Sequence, residues 1–315
     1  MFNNSILKKI VIIGGPTACG KSDLAIKIAG TLSGEIDSVI INADSMQVYR
    51  EISIITAQPD ADDLKKCEHK LYGFIDVENE FSVDIWLKNV IREIDAALKL
   101  GKLPIIVGGT GMYIKSLMHG IAEIPDIDSD VREEGRELLE KIGNNKFHDL
   151  LADIDPVMAD RIFYTDSQRM VRAWEVIKQT GISLSDWQKN KNKIFYNKNS
   201  FTGFFLNIPR DILYDNCNNR FLKMLENNVM DEIKYLEKNN IDLNLTSMKS
   251  LGIPELRSYF RDEITLGSAI EKAQQSTRRY AKRQVTWFKN QLPELREVDQ
   301  ADLPNIIDQI KAIKN

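Results

Sequence analysis

The run Gly15-Pro16-Thr17-Ala18-Cys19-Gly20-Lys21-Ser22 constrains this chain more than any other stretch. It follows Ile10-Val11-Ile12-Ile13, an aliphatic run expected of a strand buried on both faces of a parallel sheet. It leads into Ser22-Asp23-Leu24-Ala25-Ile26-Lys27-Ile28-Ala29, a helical pattern. In that context GxxxxGK[ST] has a mechanism. The loop N–H groups and the helix N-terminus form a nest for phosphate oxygens, and Lys21 supplies a point charge. The Ser22 hydroxyl can ligate Mg²⁺. The motif leaves the identity of the diphosphate open. ATP or GTP is its default, the absence of an Asn-Lys-x-Asp guanine-reading motif weighs against a GTPase, and a kinase of a nucleotide or small metabolite stays possible.

Two further buried strands are expected at Ser38–Asn42 and Pro104–Val107, with a helix from Asp84 to Leu100 carrying an apolar stripe of Ile85, Trp86, Val90, Ile91, Ile94 and Leu98. Strands alternating with helices imply βαβ units. From residue 126 to 198 strand character gives way to charged helical segments, such as Val131–Ile142 and Ser167–Lys178, and it returns at Phe201–Ile208. A long basic helix is expected from about Ser268 to Gln291. The fold class is therefore α/β, a P-loop NTPase-like parallel sheet flanked by helices. Residues 1–125 and 199–315 form the core with its C-terminal helices, and residues 126–198 a smaller helical insertion domain.

Over 315 residues the formal net charge is −4, so any nucleic-acid surface must be a local patch. Cys19, Cys67 and Cys217 make neither a metal-ligand spacing nor a disulfide framework. With no signal-peptide pattern at the start and no apolar run long enough to span a bilayer, a cytoplasmic location away from membranes is expected.

Asn42-Ala43-Asp44-Ser45-Met46-Gln47-Val48-Tyr49 begins at the C-terminal edge of the second strand, where doubly wound sheets bind ligands. Asp44 could simply close an Asx turn there, or it could face the phosphate loop. Gly108-Gly109-Thr110-Gly111-Met112-Tyr113 ends the third strand at the same edge. Lys21, Asp44 and Thr110 thus converge on one crevice.

GPTACGKS, DSMQVY, VGGTGMYI, Asp166-Ser167-Gln168-Arg169-Met170-Val171-Arg172-Ala173 and Thr277-Arg278-Arg279-Tyr280-Ala281-Lys282-Arg283-Gln284-Val285-Thr286-Trp287-Phe288 occur in that order. Together they resemble the tRNA dimethylallyltransferase family, also called tRNA isopentenyltransferases. The resemblance implies attack of the N6 amine of adenine 37 of tRNA on dimethylallyl diphosphate, with Mg²⁺ as cofactor and release of diphosphate. It implies Asp44 as proton acceptor, with Thr110 near the bridging oxygen and Lys21 as the third catalytic group. Arg220 joins Gly15, Pro16, Thr17, Ala18, Cys19, Gly20, Lys21 and Ser22 at the diphosphate. The tRNA would be met by Asp44, Ser45, Met46 and Gln47, by Arg132, by Gln168, Arg169, Met170, Val171 and Arg172, and by Arg278 and Lys282. A monomer with no obligate protein partner suffices for one tRNA and one channel.

The sequence departs from the family pattern at Ile55 where glycine is usual, Gln58 where lysine is usual, Asn216 where arginine is typical and Ile253 in place of tyrosine. Cys19 stands where serine is commoner, at a helix N-terminus that could make its thiol more acidic. A kinase, an RNA-binding switch and a transferase acting on free AMP or ATP are the competing readings.

Overall fold

The structure is a computed structural model and describes residues 9–189 and 193–312. Most of the opening segment read for a leader lies outside those residues. The chain enters the sheet through β1 (Ile10–Gly14), turns through the phosphate loop into α1 (Lys21–Leu32) and returns along β2 (Ser38–Asn42). There follow α2 (Ala61–Lys66), β3 (Glu68–Lys70), α3 (Val83–Lys99), β4 (Leu103–Gly108) and α4 (Gly111–His119). The helical segment holds α5 (Ser129–Ile154), α6 (Pro156–Arg161), α7 (Ser167–Thr180) and α8 (Leu184–Lys189). The chain then runs through β5 (Phe201–Leu206), α9 (Arg210–Glu226), α10 (Val229–Lys238), α11 (Ile253–Phe260), α12 (Leu266–Gln291), β6 (Arg296–Val298) and α13 (Leu303–Ala312).

The six strands form one sheet in the order β3-β2-β4-β1-β5-β6, and every pair in it is parallel. The expected fold class is therefore the observed one. β1, fully buried, lies between β4 and β5, so the loop that follows it opens at the middle of the C-terminal edge. One face of the sheet packs Val11, Ile13, Ile105, Val107, Phe204 and Leu206 against Leu24, Ile28 and Leu32 of α1 and Ile306 and Ile310 of α13. Helix α3 buries Trp86, Leu87, Val90 and Ile94. At roughly 1.5–3 kcal/mol per fully buried aliphatic side chain, that stripe outweighs the helix's intrinsic propensity.

The chain divides into two compact units, residues 1–118 with 196–315, and residues 119–195. The second starts before the expected residue 126 and closes before residue 198. Its ends are tied by an antiparallel bridge between Ile121 and Lys193, and Ile124 and Ile127 belong to its own core. That core is built by α5 and α7 around Phe147, Leu151, Met170 and Trp174. Helix α5 breaks its helical geometry at Gly143, whose φ is 76°. Asp155 caps α6 through Met158 N–H at 3.1 Å and also accepts Ser185 N–H at 3.0 Å, which satisfies a buried carboxylate.

Where β2 and β4 leave the sheet, their loops cross in contact. Ala43 N–H donates to Val107 O at 2.8 Å, and Thr110 N–H donates to Ala43 O at 3.2 Å. A Cβ on Gly108 would overlap the carbonyl group of Ala43. Because backbone meets backbone there, no side chain can swing aside. Gly108→Ala is expected to cost about 2–3 kcal/mol and to lower the unfolding midpoint by roughly 5 °C, read by thermal denaturation.

Candidate active site

The phosphate loop is shaped by the conformations of its small residues. Gly20 caps α1 at φ 92° with no side-chain hydrogen bond. Ala18 takes φ 63°, a left-handed geometry that costs a non-glycine residue about 1 kcal/mol or more and marks a functional loop when its surroundings impose it. Part of that imposition is visible: Asn216 of α9 donates to Ala18 O at 3.2 Å, and a guanidinium nitrogen of Arg220 donates to Thr17 Oγ1. Lys21 Nζ folds back to Pro16 O at 2.6 Å, and Ser22 stands exposed at the start of α1.

Asp44 is positioned by its own turn. Its N–H donates to Asn42 Oδ1 at 2.8 Å, and its Oδ1 accepts Met46 N–H at 2.9 Å. Buried Asn42 gives its amide hydrogens to Asp44 O and Leu71 O, both at 3.0 Å, while Trp86 Nε1 donates to Asn42 O at 2.8 Å. The turn is therefore held by a polar residue with its bonds filled, the condition under which a buried amide rigidifies its surroundings. Thr110 Oγ1 accepts Ser45 N–H at 2.9 Å and lies 3.3 Å from Ser45 Oγ.

The three loops meet at Gly109. A Cβ added there would lie 3.4 Å from Gly15 O of the phosphate loop and 3.5 Å from Asp44 Oδ2, and would overlap Gln284 Nε2 of α12. The structure thus brings the Lys21, Asp44 and Thr110 loops to one edge. Arg220 faces the same space: burial pulls its guanidinium below its ordinary value, and the charges of Cys217, Asp44 and Cys19 oppose that pull. It remains a cation, as guanidinium does in proteins. Burial raises the phenols of Tyr72, Tyr113 and Tyr280, and the charge of Asp44 raises each further.

Cys19 corrects an expectation. Its thiol is raised rather than made more acidic, because burial outweighs Lys21, the backbone N–H groups and Arg220. The departures from the family pattern are absorbed locally. Gln58 Nε2 donates to Tyr49 O at 2.7 Å, and Ile55 and Ile253 are buried core residues. Ile55 rests where a Cβ on Gly252 would come within 2.9 Å of it.

Of the residues expected to meet tRNA, Gln47 spends its amide on Thr56 O and Ala57 O, and Met46 Sδ accepts from Ser250 Oγ. On α12, Arg278 turns inward to Asn218 Oδ1. Lys282 lines an open groove with Arg279, Arg283 and Trp287. Arg279 and Arg283, one helical turn apart on α12, put two further guanidinium groups beside Lys282. In the second unit, Met170 and Val171 are core residues. Helical periodicity turns their side chains inward, so the side chains of that segment offered to solvent are Gln168, Arg169 and Arg172. Arg169 is 72% exposed and pairs with Asp166 at 3.3 Å, a surface contact of little energetic weight. Arg172 lies 3.6 Å from Glu175. Burial raises Glu175, and Arg172, Arg132 and Arg136 oppose it, so the fold gathers three guanidinium groups about one carboxylate.

The donor set at this edge suits an ion bound by few protein ligands. Ser22 Oγ is an exposed oxygen donor at the start of α1, beside the loop, and Mg²⁺ typically takes one or two protein ligands, phosphate oxygens and waters.

Comparison with known proteins matches this architecture. The IPP transferase family model matches residues 47–291, and the isopentenyl transferase model matches residues 8–75. A tRNA dimethylallyltransferase of Ehrlichia canis is 44% identical over 289 residues, covering 91% of this chain and 93% of the relative. One of Pelagibacter ubique is 40% identical, covering 96% and 95%. Among solved structures, the full-length tRNA isopentenylpyrophosphate transferase of Bacillus halodurans superposes with TM-score 0.69 at 32% identity, covering 97% of this chain and 96% of that one. A eukaryotic dimethylallyltransferase solved acting on tRNA gives TM-score 0.78 at 26% identity, covering 94% and 75%. With a family match across most of its length and relatives this similar from end to end, the chain belongs to the IPP transferase family.

Proposed function

We propose that this chain transfers the dimethylallyl group of dimethylallyl diphosphate to N6 of the adenine at tRNA position 37, releasing diphosphate. The observation that carries the reading is the meeting at Gly109 of a phosphate loop and a fixed carboxylate, in a chain of this family. A kinase can pair the same two groups, so it is the family match that favours alkylation of a weakly nucleophilic amine over phosphate transfer.

The adenine must leave the anticodon-loop stack to present N6, which single-stranded loops make inexpensive. Asp44, held by Met46 N–H through one oxygen and facing Gly109 with the other, is the group that takes the N6 proton as the C–N bond forms. The neighbouring tyrosines stay protonated, because burial and the charge of Asp44 raise them, so they do not compete as bases. Their rings offer an apolar, π-rich surround to a carbon that gains positive charge. Lys21, Arg220 and the loop N–H groups stabilise the departing diphosphate, and Thr110, its oxygen fixed by Ser45 N–H, directs a hydroxyl to the bridging oxygen. Ser22 would hold Mg²⁺ through its hydroxyl, and the ion would supply further charge neutralisation. The exposed cations of α12 and, in the second unit, Arg169 with the Arg132 and Arg172 cluster suit contacts to the tRNA backbone. A cytoplasmic monomer is the simplest setting. Among the described residues no helix is long and apolar enough to cross a membrane.

The deciding experiment supplies labelled dimethylallyl diphosphate and Mg²⁺ to unmodified tRNA, to a position-37 guanine variant and to free AMP. Label only in the adenine-bearing tRNA is expected. Label in AMP, or phosphate transfer from ATP, would replace the proposed acceptor or reaction.

Asp44→Asn keeps the side-chain volume and removes the proton acceptor. Transfer should fall about 10²–10⁴-fold while binding of Mg-pyrophosphate changes little, read by turnover and calorimetry. Arg169→Ala should weaken tRNA binding roughly 3- to 10-fold and reduce the slope of log affinity against log salt by about 1, leaving pyrophosphate binding unchanged.

A further inference from the structure

We infer that Gln284 is a positioning residue of the transfer site, fixing the separation of the phosphate loop and the Gly108–Thr110 turn; the inference rests on the function proposed above. Its Oε1 accepts Thr17 N–H at 2.8 Å, and its Nε2 donates to Gly109 O at 2.9 Å. The amide can adopt one orientation only. Reversed, it would set NH₂ against the Thr17 N–H and an oxygen against the Gly109 carbonyl.

Gln284 occupies the buried stripe of α12, with Thr277, Ala281 and Phe288. An apolar side chain would fill such a position without the cost of burying an amide, a cost removed only when donor and acceptor are both paired. Both partners here are backbone groups of the two reactive loops. Thr17 also receives Arg220 through its hydroxyl, and Gly109 precedes Thr110 and lies against Asp44 Oδ2. The same helix seats Phe288 against Gly14 and Trp287 against Gly111, so Gln284 is the polar centre of a three-point contact.

Two chemical consequences follow. The Thr17 N–H is withdrawn from the ligand, which leaves the later loop N–H groups to face the diphosphate. The Gly109 carbonyl is capped, so its lone pairs are turned from an anionic substrate. Displacement of either loop by about 1 Å is enough to cost roughly 10²-fold in rate.

Gln284→Met preserves length, volume and helix propensity and removes both bonds. Transfer kcat should fall about 10- to 100-fold and Mg-pyrophosphate affinity about 3- to 10-fold, with KM for tRNA within about 2-fold. Gln284→Glu keeps the acceptor for Thr17 N–H but donates to Gly109 O only when protonated. Its activity relative to wild type should therefore rise as pH falls, a response that simple core filling would not give. Wild-type kcat and pyrophosphate affinity in the folded Met variant would overturn the inference, even with a lowered melting temperature. Should that variant not fold, a pH-independent ratio in the Glu variant would overturn it instead. If wild-type protein places no label in tRNA, the proposed reaction fails, while the pyrophosphate comparison still decides the role of Gln284.

Discussion

The close approach of α12 to the C-terminal edge of the sheet is the contact on which the site depends. Phe288, Gln284 and Trp287 reach Gly14, Gly109 and Gly111, one glycine from the end of β1 and two from the turn after β4. A Cβ on Gly14 would stand 2.6 Å from the Phe288 ring, and one on Gly111 would overlap the Trp287 ring. Gly14 and the glycines of the GGTG motif thus do more than permit turns. They admit a helix from the far end of the chain, which locks together loops separated by long stretches of sequence. Because cores are packed to near-crystalline density, such a contact transmits position rather than absorbing it.

Around that frame the electrostatics are asymmetric. Lys21 and Arg220 stand on the phosphate side, and Asp44 on the side of the β2 turn. A cation pair suits an anion that gains charge, and a carboxylate held by its own backbone turn suits a proton in transit.

Much of this was legible in the sequence because the information is local. The strand, loop and helix around Gly15–Ser22 announce themselves by period and glycine placement, and Asp44 and Thr110 follow from lying at strand ends. β3 and β6 were not legible. Each has three residues at a sheet edge, Glu68-His69-Lys70 and Arg296-Glu297-Val298, too short and polar for an alternating pattern. The family resemblance assigns Met170 and Val171 to the tRNA together with their polar neighbours, whereas the helical period turns their side chains into the core. Gln284 lay inside a quoted motif, and its signal was a glutamine on a buried stripe, which only tertiary structure explains. Cys19 shows the same limit: proximity to a helix N-terminus is readable in sequence, whereas the burial that overrides it is not.

The departures at Gln58 and Asn216 show which features of the site are carried by shape and which by charge. Both replace a residue expected to be cationic, and each spends its amide on a backbone carbonyl, Tyr49 O and Ala18 O. An amide at these places supports the loop as a hydrogen-bond donor while adding no charge to the crevice. Ala18 is the residue held at φ 63°, so the bond from Asn216 falls where the loop is strained. Positive charge in the crevice then rests on Lys21 and Arg220. The geometry of the loop is therefore maintained by the neutral amides of Asn216 on α9 and Gln284 on α12 together with Arg220, which also carries charge. Asn216 and Gln58 can thus stand in place of cations while the loop turns keep their hydrogen bonds.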